Sequence, residues 1–169
     1  MATSPFLVHV ARLRKLVGSR THEVVSAPIP GLEVTGSHVP EGSDVVVDVV
    51  LESVLGGVEA SGTVEAQWVG ECRRCREEAT GRLVVPVREL YTTDGDGEDT
   101  YPLIDDTVDL EVLAHDAILL ELPPAPLCRA DCRGLCSMCG TDLNNEQCDC
   151  QAPRDPRFAA LDVLKSEPI

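Results

Sequence analysis

The residues with the most chemical capacity are eight cysteines, grouped as Cys72–Cys75, Cys128–Cys132, Cys136–Cys139 and Cys148–Cys150. Thiolate is a favoured ligand of structural zinc, which takes four donors tetrahedrally. Two cysteines separated by two residues reach one ion from a single tight turn. A glycine after the pair permits the turn that aims amide donors at sulfur, as in "CSMCG", Cys136 to Gly140. "CRRC", Cys72 to Cys75, has the spacing without the glycine. Eight cysteines make two complete ligand sets. Sequential economy gives Cys136, Cys139, Cys148 and Cys150 a local site, closed over the short polar loop "GTDLNNEQ". Cys72, Cys75, Cys128 and Cys132 then form a second site that ties distant parts of the chain together. Two other arrangements stay open at this point. One ion could be held by the C-terminal block alone, with Cys72 and Cys75 spare or redox-active, or the pairs could interleave in a cross-brace. Iron in a rubredoxin-like site uses the same ligands, but the scarcity of aromatics around the knuckles favours zinc, as one or two structural ions.

Five arginines, Arg73, Arg74, Arg76, Arg129 and Arg133, flank the cysteines of the inter-segment site in a chain otherwise short of base. They can offset thiolate charge and donate to sulfur, or form a small basic patch that contacts RNA phosphate; the sequence does not separate these. Metal thiolates are also not the sole use of a CxxC. A thiol–disulfide oxidoreductase or redox-responsive protein could use Cys72 and Cys75, with the arginines lowering a thiol pKa. That chemistry usually has a helix N-terminus in a thioredoxin-like unit, and here the pair lies between strands. A zinc hydrolase would need an open coordination position and His or carboxylate ligands, and none of His9, His22, His38 or His115 is near a knuckle in sequence. A DNA-reading zinc ribbon would carry bases on its hairpin; between Arg133 and Arg154 there are none, while Asp142, Glu146 and Asp149 are acidic.

The elements that must position the cysteines are mostly strands. "HEVVSAPI" (22–29), "DVVVDVVLESV" (44–54), "VEASGTVEAQWVG" (58–70) and "ATGRLVVPVREL" (79–90) are rich in β-branched residues, with Gly56 and Gly57 at a turn. Val64, Ala66 and Trp68 are expected to share a face. Pro86 marks an edge strand or a bulge. "ECRRCREE" (71–78) falls on the turn of the last hairpin, a polar position poorly suited to isolated buried thiols. "FLVHVARL" (6–13) is either a strand or a short helix. Residues 91–106 form an acidic loop whose "DGDGED" lacks the twelve-residue calcium-loop pattern. A helix follows over 109–122, with Asp109 as N-cap and Leu110, Leu113, Ala114, Ala117 and Ile118 at helical spacing; Pro123 and Pro124 end it. A short C-terminal helix is expected over 155–165, with Phe158, Leu161 and Leu164 on its apolar side.

At 169 residues with 3% aromatics, the chain supports one domain whose core is Val, Leu, Ile and Ala. The expected fold is α+β. A Val-rich antiparallel sheet, with a curled, partly closed barrel as one form of it, packs against the helix and a C-terminal zinc-binding cysteine module. The division is 1–126 for the sheet domain and 127–169 for the cysteine-rich module and terminal helix, packed as one unit. The net charge of −15 opposes RNA binding by charge alone and suits a basic partner, though it also simply confers solubility. No stretch reaches the roughly 18 to 20 apolar residues of a membrane span. In "MATSPFLVHVARLRK" the positive charges follow the apolar run, unlike a signal peptide. A reducing cytoplasm is therefore the expected compartment, where clustered cysteines bind metal.

The order of these parts resembles the YceD-like family, the large ribosomal RNA subunit accumulation proteins. The resemblance runs from about residue 40 onward, through "ECRRC", "VDLEVLAHDAILLELPPAPLC", "CRGLCSMCGTDLN", "CDC" and "DPRFAALDVLK". It implies a cytoplasmic, non-enzymatic factor in accumulation or processing of large-subunit ribosomal RNA. It also implies that all eight cysteines are the family's ligands, and it carries over no catalytic residue. With the charge, it leads to an assembly adaptor that binds a ribosomal protein or large-subunit assembly intermediate. Asp94, Asp96, Glu98 and Asp99 would meet the basic partner, and Arg73 and Arg74 would touch RNA.

Overall fold

The computed structural model describes residues 4–95, 99–151 and 157. Asp96 and Glu98 lie outside the described residues, as does the expected C-terminal helix over 155–165 apart from residue 157. The strands are β1 (Leu7–His9), β2 (Arg20–Pro28), β3 (Ser37–His38), β4 (Asp44–Val54), β5 (Gly57–Glu71), β6 (Glu78–Thr92), β7 (Tyr101–Pro102) and β8 (Thr107–Asp109). One helix, α1 (Leu110–Glu121), follows. "FLVHVARL" resolves into β1 and then a 3-10 turn at Leu13–Lys15.

Period-two alternation builds the sheet. On β4, Val45, Val47, Val49, Leu51 and Ser53 are buried, while Asp44 and Asp48 point to solvent. Gly56, at φ +90°, turns the chain directly into β5. Val64 and Ala66 are buried on β5, and Trp68 packs against the same core. β5 and β6 pair without interruption from Gly57↔Thr92 to Glu71↔Glu78, so Pro86 sits opposite Thr63 with no bulge. β6 carries Pro86 on a stretch that, among the described residues, no strand covers on its other side.

The strand order is β2-β4-β5-β6-β7, with β3 beside the end of β5. The sheet is open, which corrects the expectation of a partly closed barrel. The edge at β7 is only two residues long, pairs parallel to β6, and includes Pro102, which has no N–H to donate. β1 and β8 form a separate antiparallel ribbon.

Helix α1 covers the inner face. The Asp109 carboxylate accepts from Glu111 N at 2.9 Å, satisfying one of the unpaired amides of the first turn. Leu110, Leu113, Ala114 and Ile118 are buried against Val-rich β4 and β5 and against Phe6, Val10 and Tyr91. The outer face of the sheet is different: cross-strand pairs Arg20–Glu52, Arg82–Glu65, Arg88–Glu59 and His22–Asp48 occupy it. Among the described residues no helix is long and apolar enough to cross a membrane.

Candidate metal centres

The tip of the β5–β6 hairpin, Cys72 to Glu77, is a knuckle closed by backbone hydrogen bonds. Arg76 N donates to Cys72 O at 2.9 Å, and Cys72 N to Glu77 O at 2.8 Å. Cys136 to Thr141 repeats the pattern: Gly140 N donates to Cys136 O at 2.9 Å, and Cys136 N to Thr141 O at 2.8 Å. Gly140 takes the left-handed conformation at φ +76° that the turn demands, and Arg76 takes it at φ +68° despite its side chain. The missing glycine of "CRRC" therefore changes the strain and not the shape.

The eight sulfurs fall into two groups, Cys72, Cys75, Cys128 and Cys132, and Cys136, Cys139, Cys148 and Cys150, with all sulfurs of a group within 4.8 Å of one another. This is the sequential arrangement, and the cross-braced one is not seen. In the first group Cys72 and Cys132 sulfurs are 3.8 Å apart, and Cys75 and Cys128 sulfurs 3.5 Å apart. A disulfide needs about 2.05 Å, so these are not oxidised pairs. Four sulfurs around zinc at about 2.3 Å stand about 3.8 Å apart along each tetrahedral edge, so the donor set fits that ion.

The two groups differ in surroundings. Cys72, Cys75 and Cys132 are buried with Ala79, and Trp68 and Leu127 pack against them. Cys139 and Cys150 are exposed. The electrostatics are alike in both. Burial pushes the Cys72 thiol up, but backbone amides of Cys128, Cys75 and Arg74 outweigh it and lower the thiol to about 6. Cys128 is pushed up to about 12 by its contact with Cys75 and by burial. In the second group the Thr141 hydroxyl and amide lower Cys139 to about 6, and contact with Cys139 pushes Cys150 up to about 12. Cys136 is lowered as well, by the backbone amides of Cys139 and Met138, while Cys75 and Cys148 are raised like Cys128 and Cys150. Some sulfurs of each group ionise readily and the others then resist, because adjacent thiolates repel. A divalent cation is the species that lets all four ionise, so each group could hold one metal ion.

Sequence reasoning missed Asn144. It lies in the loop between Cys139 and Cys148, yet its Nδ2 reaches Cys132 Sγ of the other group at 3.5 Å. Its Oδ1 accepts from Arg133 N at 2.8 Å, and Asp142 Oδ1 accepts from both its amide, at 3.0 Å, and its Nδ2, at 2.8 Å. The Asn144 amide also holds the Asp142 carboxyl below its ordinary value. The "NN" of the loop marks a turn in sequence but not a sulfur partner twelve residues back, in the other group. Gly134 brings the segment in: at φ +76° it lies so close that a Cβ would meet Arg74 O at 2.9 Å, and Leu135 N donates to that same oxygen at 3.0 Å.

The flanking arginines act mainly on oxygen. Arg74 Nη1 donates to Cys132 O at 2.7 Å, Arg76 pairs with Glu71, and Arg129 with Asp131. Arg73 and Arg74 are exposed on the hairpin tip, and Asp94 and Asp99 are exposed on the loop between β6 and β7.

The family model described as "Large ribosomal RNA subunit accumulation protein YceD" matches residues 60–165. An uncharacterized protein of Mycobacterium tuberculosis strain H37Rv is 39% identical over 170 residues, covering 94% of this chain and 80% of that protein. One from Mycobacterium leprae is 38% identical over 129 residues, covering 71% of this chain and 58% of that protein. The large ribosomal RNA subunit accumulation protein YCED homolog 1, chloroplastic, of Arabidopsis thaliana is 26% identical over 163 residues, covering 76% of this chain and 50% of that protein. No solved structure matches. With the family model matched over residues 60–165 and a relative 39% identical over 94% of this chain, the chain belongs to the YceD family of large ribosomal RNA subunit accumulation proteins.

Proposed function

We propose that this protein is a non-enzymatic factor in the accumulation or processing of large-subunit ribosomal RNA. It acts in the cytoplasm as an adaptor for a basic ribosomal protein or a large-subunit assembly intermediate. Family membership supports the process. The observation that carries the adaptor role is the disposition of charge: Arg20, Arg82 and Arg88 on the sheet face are each paired with a glutamate, while Asp94 and Asp105 are exposed. A basic client meets the acidic segment favourably, and an RNA phosphate does not. Arg73 and Arg74, on the metal-braced tip, are the bases placed for a local RNA contact.

Zinc is the proposed ion in both groups, structural and without an open position, supplying the cross-link that fixes the hairpin tip to the segment after the helix. Metal analysis should find two equivalents of zinc; one would leave a group unfilled, and none would overturn the structural role. Neutralising Asp94, Asp96, Glu98 and Asp99 together (to Asn and Gln) should reduce co-sedimentation with large-subunit precursors, most at low salt. Unchanged co-sedimentation would refute the adaptor reading. The lowered thiol of Cys72 favours a second, redox reading, which burial of Cys72 and Cys75 disfavours. Rapid titration of both thiols in the zinc-loaded protein would establish it.

A further inference from the structure

At the end of the molecule where α1 begins, a cleft of about 340 Å3 opens between the β1–β8 ribbon, the helix and β7. Its base is the stacked pair Tyr91 and Tyr101, with ring centres 5.3 Å apart. Both hydroxyls are committed, Tyr91 to Asp109 O at 2.9 Å and Tyr101 to Asp116 Oδ2 at 3.1 Å. The rim is aliphatic and open to water: Leu7 is 39% exposed, Ile104 65% and Val112 45%. Three large apolar side chains exposed around one concavity are more than the scattered surface leucine of an ordinary monomer.

The charge around this cleft has one sign. Asp105 and Asp109 line it, and no Lys, Arg or His does. Burial first pushes both tyrosines well above their ordinary range, helped at Tyr91 by Tyr101, Asp109, Glu89 and Asp116 and at Tyr101 by Asp116 and Glu89, carboxylates that report the same negative field. Asp105 and Asp106 form the two-residue turn between Ile104 and Thr107, both left-handed, at φ +48° and +55°. Glycine or asparagine is the usual choice there, so two aspartates hold a costly conformation. Asp106 is paired with Arg14; among the described residues no base pairs with Asp105. The acidic loop leaves β6 at Thr92 and re-enters at Tyr101, directly beside the cleft floor.

We infer that this cleft docks a lysine- or arginine-rich protein segment through one apolar anchor side chain, its flanking cations resting on the carboxylates of the cleft, Asp105 foremost. The apolar walls select a side chain and exclude a bare polycation; the carboxylates exclude an RNA phosphate. This rests on the adaptor reading and names the place where the basic client is held.

The probe is a labelled oligolysine peptide with one central leucine, compared by fluorescence polarisation with the same peptide carrying serine there. The leucine peptide should bind about tenfold more tightly, the value of burying one such side chain. Ile104→Ser with Val112→Ser should abolish that preference, since both residues are exposed and their loss does not open the core. Asp105→Asn should weaken both peptides more than Asp44→Asn, which removes equal charge at the exposed start of β4, outside the cleft. Amide shifts in the wild-type protein should concentrate at Leu7, Ile104 and Val112. Equal binding of the two peptides, a preference that survives the double substitution, or displacement of the peptide by polyuridylate overturns the inference. Co-sedimentation of the wild-type protein with large-subunit precursors is scored separately. If it is present while the peptides show no preference, the cleft is wrong and the adaptor role stands. If it is absent, the adaptor role fails whatever the peptides do.

Discussion

Cys128→Ser is the sharpest test of the clasp between hairpin and helix. Its sulfur lies 3.5 Å from that of Cys75, and the two residues are 53 positions apart. The chain-entropy relation for a cross-link closing a loop of that length gives about 4 kcal/mol at 25 °C. For a chain of this size that corresponds to a fall in Tm of about 8 to 16 °C. Cys139→Ser opens the other group, whose ligands all lie between Cys136 and Cys150 and two of which are exposed. Its effect on the sheet passes through the Asn144 hydrogen bond to Cys132 and should be about 1 kcal/mol. Trp68, the one tryptophan, packs on both the main core and the buried cysteines, so its fluorescence follows the relevant transition. Equal shifts for the two substitutions, or an unchanged transition after the wild-type protein is stripped of metal, would refute the clasp.

Arg76→Gly should raise stability by about 1 kcal/mol in denaturant unfolding, because it relieves a left-handed side-chain residue at the cost of an exposed ion pair with Glu71. Gly134→Ala should do the reverse, losing about 2 kcal/mol and accelerating metal release to a chromogenic chelator, since its Cβ would strike Arg74 O and displace Leu135. Tyr91→Phe should cost about 1 kcal/mol through the lost bond to Asp109 O. The Tyr91 pKa is raised by burial first, so the neutral ring stabilises the fold fully below pH about 10 and that contribution is lost as pH rises further. Alkaline unfolding followed by circular dichroism should therefore steepen above pH about 10 in the wild type and less in the Phe variant.

The long strands were legible because their pattern is local. "DVVVDVVLESV" is rich in β-branched residues and partly alternates, and β4 spans those same eleven residues. Asp109 was legible as a cap because capping depends on the next three residues. The cysteine groups followed from spacing, since short loops close most readily. β3, β7 and β8 are two or three residues long and exist only through their partners, so no periodicity marks them. The barrel expectation failed for the same reason: closure depends on an edge of two residues that local pattern does not describe. Tyr91 and Tyr101 stack across a ten-residue excursion, and Asn144 reaches a sulfur of the other group; neither relation has a sequence period.

The separation of Cys75 from Cys128 also has a consequence in time. When the hairpin tip leaves the ribosome, its two partner cysteines have not yet been translated. At about 5 to 20 residues per second, the 53-position gap takes about 3 to 10 seconds to synthesise. During that interval Cys72 and Cys75 are an open half-site on a nascent strand pair, available to any thiol reagent, oxidant or competing metal. The buried group is thus the first begun and, of its four ligands, waits longest for completion. The exposed group, by contrast, receives all its ligands within a single short run of translation. Errors in thiol chemistry during synthesis should accumulate at the hairpin tip, in the part of the molecule that looks best protected once folding is finished.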